Sequence, residues 1–224
     1  MRILLSGFGK MGKEIKKLAE SRKHKIVDIA NSDNPTTTIN LNNIDVVIDF
    51  STPNTAYKNI KYVLSNNVPI ISGTTGWTEK IDEIKKLCQI NEGAFLYAAN
   101  FSIGMNIFQK LNQQLAIYMK RHDYKIELNE IHHKTKIDAP SGTAKQLIND
   151  IKDINDVNIN INVKRIGNIN GIHNIVYKSE YDEIKIEHTA HNRNGFVEGA
   201  LIAAEWIIGK KGFFNMQDVL SYKY

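Results

Sequence analysis

The first twelve residues constrain the chain most. Ile3-Leu4-Leu5-Ser6 is a short apolar run that passes straight into Gly7-Phe8-Gly9-Lys10-Met11-Gly12, and a segment of helical periodicity follows. A strand that turns into a helix through G-x-G-x-x-G opens a strand–helix–strand unit, and such units build parallel sheets with right-handed crossovers. Gly7 permits the tight turn, Gly9 lets backbone approach a pyrophosphate, and Gly12 lets the helix pack against the strand. Free N–H groups at the helix start, with the positive end of its dipole, favour an anion there. Gly7, Phe8, Gly9, Lys10, Met11 and Gly12 are therefore candidate contacts for a dinucleotide. A ligand-free turn would also use glycines, but its place directly after the first strand favours the dinucleotide.

The first hundred residues keep this alternation. β-Branched runs at Ile3–Leu5, Lys25–Ala30, Asp45–Phe50, Val68–Ser72 and Ala94–Ala98 read as strands, and Met11–Ala19 and Thr78–Ile90 have the spacing of amphipathic helices. After Asn100 the pattern changes. A long helix is expected over Ile103–Met119, a strand over Tyr124–Ile131 and a helix over Thr143–Ile151. Val157–Ile166, Ile172–Lys178 and Glu183–Thr189 follow as strands without crossover helices, which points to a mixed or antiparallel sheet. A last helix, Phe196–Ile208, ends at Gly209. The expected class is α/β: a Rossmann-type dinucleotide-binding domain plus a mixed-sheet α/β domain. Met105, Phe108, Leu111 and Leu115 read as a core stripe of the long helix.

The ribose-reading residue expected about 20 residues after the glycines is Asn31. A neutral amide hydrogen-bonds a ribose hydroxyl without repelling a 2′-phosphate, Lys10 lies near in sequence, and no Arg follows. NADH and NADPH both stay open. Further loops at strand ends are candidates for the same cofactor: Phe50 and Ser51, then Gly73, Thr74 and Thr75, then Ala99, Asn100 and Phe101. In isolation each is ordinary loop chemistry.

The chemistry concentrates in Glu130-Ile131-His132-His133-Lys134-Thr135-Lys136-Ile137-Asp138-Ala139-Pro140-Ser141-Gly142-Thr143-Ala144. Histidine supplies a general acid near neutral pH, a Lys clamps an anion, and Ser141-Gly142-Thr143 presents hydroxyl and N–H groups where a helix N-terminus would receive a carboxylate. Composition narrows the classes. A net charge of +5 spread among acidic residues argues against a nucleic-acid partner and suits an anionic small substrate. The single Cys88 excludes an intramolecular disulfide and a multi-thiolate metal site, and fits a reducing cytosol. No apolar run approaches a membrane span. Of the seven histidines, His132 and His133 are adjacent and point apart on a strand, and His188 and His191 lack a partner at ligand spacing, so no metal site is expected. His24 and His122 read as solvated surface, whereas His173, His188 and Arg193 are as compatible with a structural role as with the site.

The block resembles the signature of the dihydrodipicolinate reductase family, E-x-H-H-x-x-K-x-D-A-P-S-G-T-A, with every fixed position met. The likeness extends to the glycine fingerprint, Asp49-Phe50-Ser51, Gly73-Thr74-Thr75-Gly76, Ala99-Asn100-Phe101-Ser102-Ile103-Gly104, Phe196 and Gly199-Ala200. It implies NAD(P)H-dependent reduction of 4-hydroxy-tetrahydrodipicolinate, a small cyclic dicarboxylate, in the diaminopimelate route to lysine. His132 matches the catalytic proton donor and Lys136 the catalytic lysine. His133 matches a substrate contact, and Ser141, Gly142 and Thr143 lie in the turn that holds a substrate carboxylate. The resemblance also implies a dinucleotide domain of residues 1–103 and 194–224, a substrate-binding and tetramerisation domain of residues 104–193, a homotetramer and a cytoplasmic setting.

Two departures stand out. The chain is short for the family between Asn155 and His173, and Ile172 replaces an acidic residue, which puts the assembly and closure of that domain in question. The rival readings are another small two-domain Rossmann dehydrogenase, such as an aspartate dehydrogenase-like protein, and a non-catalytic dinucleotide-binding homologue. The intact block argues against both.

Overall fold

The computed structural model describes residues 1–221, which divide into two compact units: residues 1–103 with those from 194 onward, and residues 104–193. The first unit is built on a six-stranded sheet of order β10-β5-β4-β3-β1-β2, parallel throughout. Its strands are β1 (Arg2–Ser6), β2 (Lys25–Ala30), β3 (Val46–Asp49), β4 (Ile70–Ser72), β5 (Ala94–Tyr97) and β10 (Gly212–Phe214). The chain runs outward from β1 to β2 and then places β3 on the other side of β1. In a sheet of this kind, ligands lie beyond the carboxyl ends of the strands at that reversal.

Alternation along the strands feeds two cores. Ile3, Leu5, Val46 and Ile48 pack with Ile15 of α1 (Lys10–Ser21) and Leu201 and Ile207 of α6 (Asn194–Ile207). Leu4, Val47 and Ile70 pack on the opposite face with Ile60 and Leu64 of α2 (Pro53–Ser65) and Ile84 of α3 (Ile81–Ile90). Thr78–Lys80, expected as the start of α3, is a separate 3-10 turn. Besides a 3-10 turn at Thr36–Thr38, one strand and two helices are absent from the sequence reading: β10, α2 and the short α7 (Met216–Leu220). Pro53 and the reciprocal caps of Thr52 and Thr55 start α2, so the turn signal there is also a helix start.

The second unit pairs a four-stranded sheet, β7-β6-β8-β9, with helices α4 (Ile103–Met119) and α5 (Gly142–Lys152). Its strands are β6 (Lys125–His132), β7 (Ile159–Arg165), β8 (Ile172–Lys178) and β9 (Glu183–Thr189). β6 and β7 are parallel and the other pairs antiparallel, a mixed sheet. Ile126 and Leu128 of β6 and Ile175 and Tyr177 of β8 meet Phe108 of α4 and Leu147 and Ile151 of α5 in one core. Leu111 does not join it and is 53% exposed. The buried face of α4 runs through Met105, Phe108, Asn112, Ala116 and Met119, and Asn112 takes the place Leu111 was expected to fill, donating to the Leu147 carbonyl at 3.1 Å. No helix among the described residues is long and apolar enough to cross a membrane.

Candidate functional site

In the first unit, the turn after β1 gives its glycines different surroundings. Gly7 has φ +98°, in the left-handed region, and a Cβ there would collide with the Phe50 carbonyl. A Cβ at Gly12 would strike the Gly7 carbonyl, whereas one at Gly9 would meet nothing within 4 Å. Gly7 and Gly12 are thus required by packing, and Gly9 faces open space. Gly9 also begins α1 with no side-chain cap and no acid in the first turn, which leaves the helix N–H groups to an anion.

A cavity of about 500 Å³ lies here, lined by Gly7, Phe8, Gly9, Asn31, Thr36 and Asn59 among others. A second concavity of about 320 Å³ brings together Gly9, Lys10, Met11, Phe50, Ser51 and the loop Gly73–Thr75. These surfaces fit a dinucleotide. Ala99, Asn100 and Phe101 line neither; Phe101 is buried with its ring 5.6 Å from that of Phe50.

Sequence reading gave no role to the residue that ties these loops together. Asp49 at the end of β3 is fully buried and accepts from Ser6 Oγ, Ser72 Oγ and Thr74 Oγ1, each at 2.8 Å. Thr74 Oγ1 in turn accepts from the Ser51 N–H at 2.9 Å, and Trp77 Nε1 donates to the Thr74 carbonyl at 2.7 Å. Burial pushes the Asp49 carboxyl up, with the hydroxyls of Ser51, Ser6, Ser72 and Thr74 opposing.

In the second unit, strand register assembles the chemical groups. β6 pairs Glu130 with His173 and His132 with Arg165, and β8 pairs His173 with His188. The alternation of β6 turns Glu130 and His132 to one buried face. His132 Nδ1 lies 2.8 Å from Glu130 Oε1 and, facing a carboxylate, is the donor. The Ser141 N–H donates to Glu130 Oε2 at 2.8 Å, and Arg165 Nη2 sits 3.0 Å from Oε1. Burial works against the Glu130 charge, but Ser141 and His132 outweigh it and hold its pKa below the usual carboxylate range. Burial likewise pulls His132 below 6.5, Glu130 pulls it up, and Lys136 and Arg165 push it down again.

Ser141 caps α5, its Oγ accepting from the Ala144 N–H at 3.1 Å and lying 3.3 Å from His173 Nε2. His173 is 4% exposed and its Nδ1 has no partner, and burial first, then His132, pushes it down to about 4. The ring is neutral at pH 7. Gly142 and Thr143 form the first turn of α5 at the surface. Lys136 pairs with Asp138 at 2.7 Å, and His133, just past the end of β6, lies with Nδ1 2.8 Å from Thr135 Oγ1.

Strand register sets the histidines closer together than their spacing along the chain suggests. The expectation of no metal site took them pair by pair, whereas β8 brings His173 beside Glu130 and His132, with donor atoms within 4.8 Å of one another. The Glu130 carboxylate is already engaged by Arg165, Ser141 and His132. His24 is not solvated surface either: its Nε2 lies 2.8 Å from Glu205 and its Nδ1 3.3 Å from the amino terminus.

Comparison with known proteins agrees with this construction. Residues 1–101 match the family model described as dihydrodipicolinate reductase, N-terminus, and residues 104–220 the one described as dihydrodipicolinate reductase, C-terminus. A Christiangramia forsetii protein named 4-hydroxy-tetrahydrodipicolinate reductase is 42% identical across 99% of this chain and 98% of its own length. The two chains are of similar length, so shortness is not peculiar to this one. A Buchnera aphidicola (subsp. Cinara cedri) protein of the same name is 36% identical over 98% of this chain and 96% of its own. The dipicolinate-bound dihydrodipicolinate reductase of Paenisporosarcina sp. TG-14 shares the fold, with TM-score 0.84 at 23% identity over 96% of this chain and 97% of that one. Glycine turn, signature block and whole-length similarity converge: the chain belongs to the dihydrodipicolinate reductase family.

Proposed function

We propose that the chain reduces 4-hydroxy-tetrahydrodipicolinate to tetrahydrodipicolinate with NADH or NADPH, in the diaminopimelate route to lysine. The observation that carries the mechanism is the Glu130–His132 pair, 2.8 Å apart and buried, beside the N-terminus of α5. Loss of water from the substrate leaves a conjugated imine, and the bound dinucleotide supplies the hydride that reaches ring C4. His132 gives the proton that the resulting electron density takes up at the ring nitrogen or enamine carbon. With Nδ1 given to Glu130, that proton leaves from Nε2, and a methyl at Gly171 would come 2.9 Å from this atom, so glycine keeps its approach clear. Ser141, Gly142 and Thr143 receive one carboxylate at the α5 N-terminus, and Lys136 and His133 meet the rest of the dianion. Lys136 exchanges Asp138 for substrate as it does so.

Residues 1–103 and 194–224 serve as the dinucleotide domain, and residues 104–193 as the substrate domain. Gly7 to Gly12, Phe50, Ser51, Gly73, Thr74, Thr75, Ala99, Asn100 and Phe101 form or support the cofactor cradle. NADH and NADPH both stay open at Asn31, whose Oδ1 is taken by the N–H groups of Asp33 and Asn34 at 2.8 and 2.9 Å, leaving its amide NH₂ as a donor to a ribose hydroxyl or a 2′-phosphate. The sheet face bearing the hydrogen-bonded Asn129, Asn162 and Asn174 joins four copies of the chain in the cytoplasm.

The test is parallel oxidation of NADH and NADPH with freshly generated substrate, on wild type and on His132→Gln. Turnover by wild type and a kcat at least ~10²-fold lower in the variant are expected. Absence of turnover with both cofactors, or an undiminished variant, refutes the assignment.

A further inference from the structure

We propose that Glu130, backed by Arg165, is the positioning residue for the proton donor: it fixes which ring nitrogen of His132 carries the transferable proton and holds that proton on the ring. The inference rests on the reading of His132 as the acid. It begins with geometry. A single carboxylate receives His132 Nδ1 on Oε1 and the Ser141 N–H on Oε2, both at 2.8 Å, so its plane is fixed by two elements, β6 and the start of α5. Glu130 is fully buried, and such a charge persists in the interior only when its lone pairs are filled and a cation is near. Arg165 meets the second condition at 3.0 Å from Oε1. The same guanidinium donates to the Asp138 carbonyl at 2.5 Å, which ties the loop carrying Lys136 to the carboxylate.

A carboxylate in this position does two things to an imidazole. It accepts only, so Nδ1 must carry a hydrogen and Nε2 faces the reaction. Its charge also favours the imidazolium, against the burial that would discharge it. The groups acting on His132 come from the whole sheet: Glu130 on its own strand, Lys136 (paired with Asp138) on the following loop, Arg165 on β7 and His173 on β8, with His188 beyond it on β9. Asp150 on α5 is engaged by Gln109 and Gln146 and stands outside this network. Only Glu130 among these carries negative charge directly to His132; Lys136 and Arg165 oppose it.

Two substitutions therefore move the same titration in opposite directions. Glu130→Gln keeps the shape but removes the charge and the accept-only oxygen. Its kcat falls about 10- to 100-fold, within what a general acid contributes, while substrate KM and dinucleotide affinity stay within about twofold. The alkaline limb of kcat, where the donor loses its proton, moves to lower pH by about one unit or more. Arg165→Met removes a cation that opposes His132 while the Ser141 N–H and the His132 imidazolium still hold the carboxylate ionised, so its limb moves to higher pH. Altered packing alone has no reason to shift the limb in opposite directions.

The experiment is the kcat and KM pH profile of wild type, Glu130→Gln, Arg165→Met and His132→Gln with NADH. A full kcat in His132→Gln overturns the reading of the acid. With His132→Gln impaired, a Glu130→Gln enzyme of wild-type kcat and unmoved limb overturns this inference alone. Should Glu130→Gln not fold, the Arg165→Met profile decides: an upward limb supports the inference, and a static or downward limb refutes it.

Discussion

Acidification should destabilise this protein through His173, by an amount its burial fixes. An unfolded histidine titrates near 6.5, whereas in the fold this ring titrates at about 4, driven down chiefly by burial. A depressed pKa means the folded state favours the neutral ring, so the stabilisation is complete above pH 6.5 and is lost as pH falls towards 4. Relative to neutral pH, the linkage costs about 1.2 kcal/mol at pH ~5.5 and about 2.4 kcal/mol at pH ~4.5. His173→Gln has no such titration, and its amide can keep the contact with Ser141 Oγ. His132 and His188 are also pushed below their ordinary value, in each case first by burial, but they remain in both proteins and cancel in the comparison. The assay is urea unfolding followed by far-ultraviolet circular dichroism from pH ~7 to ~4.5. With a slope of about 2 kcal/mol per molar urea, the midpoint of wild type should fall roughly 1 M further than that of the variant. Midpoints that run parallel over this range would show that His173 is not held neutral, and the argument from its buried ring would fail.

Three other outcomes are expected. Gly9→Val should fold with near-native stability, because its Cβ points into open space, yet lose dinucleotide binding by calorimetric titration; Gly12→Val should fail to give folded protein at all. Asp49→Ala should cost about 3–5 kcal/mol in urea titrations by stripping three buried hydroxyls of their acceptor, with Asp49→Asn in between; a loss below about 0.5 kcal/mol would refute the role of this carboxyl. Lys136→Met should raise substrate KM and lower kcat while Tm hardly moves, since its half-exposed pair with Asp138 is worth at most about 1 kcal/mol; unchanged kinetics would remove it from the substrate site.

Much of the architecture is local and so was readable along the chain. β2, β8, β9 and α4 fall on the expected residues because alternation and 3.6-residue periodicity are properties of neighbouring positions. The failures have equally definite causes. α2 is half polar and begins in a Thr-Pro turn, β10 has three residues, and Leu111 lost its buried place to an asparagine whose partner lies on another helix.

The sequence by itself determined the glycine turn, the order of strands and helices, and the chemical inventory of the block from Glu130 to Ala144, since these depend on residue type and near-neighbour spacing. Only the tertiary structure decided what those groups do to one another. Strand register put Arg165 and His173 beside a glutamate 35 and 43 residues away, and burial turned that glutamate into a fixed counter-charge and His173 into a neutral ring. Dielectric and long-range pairing set charge states, and neither is a property of any short stretch of chain.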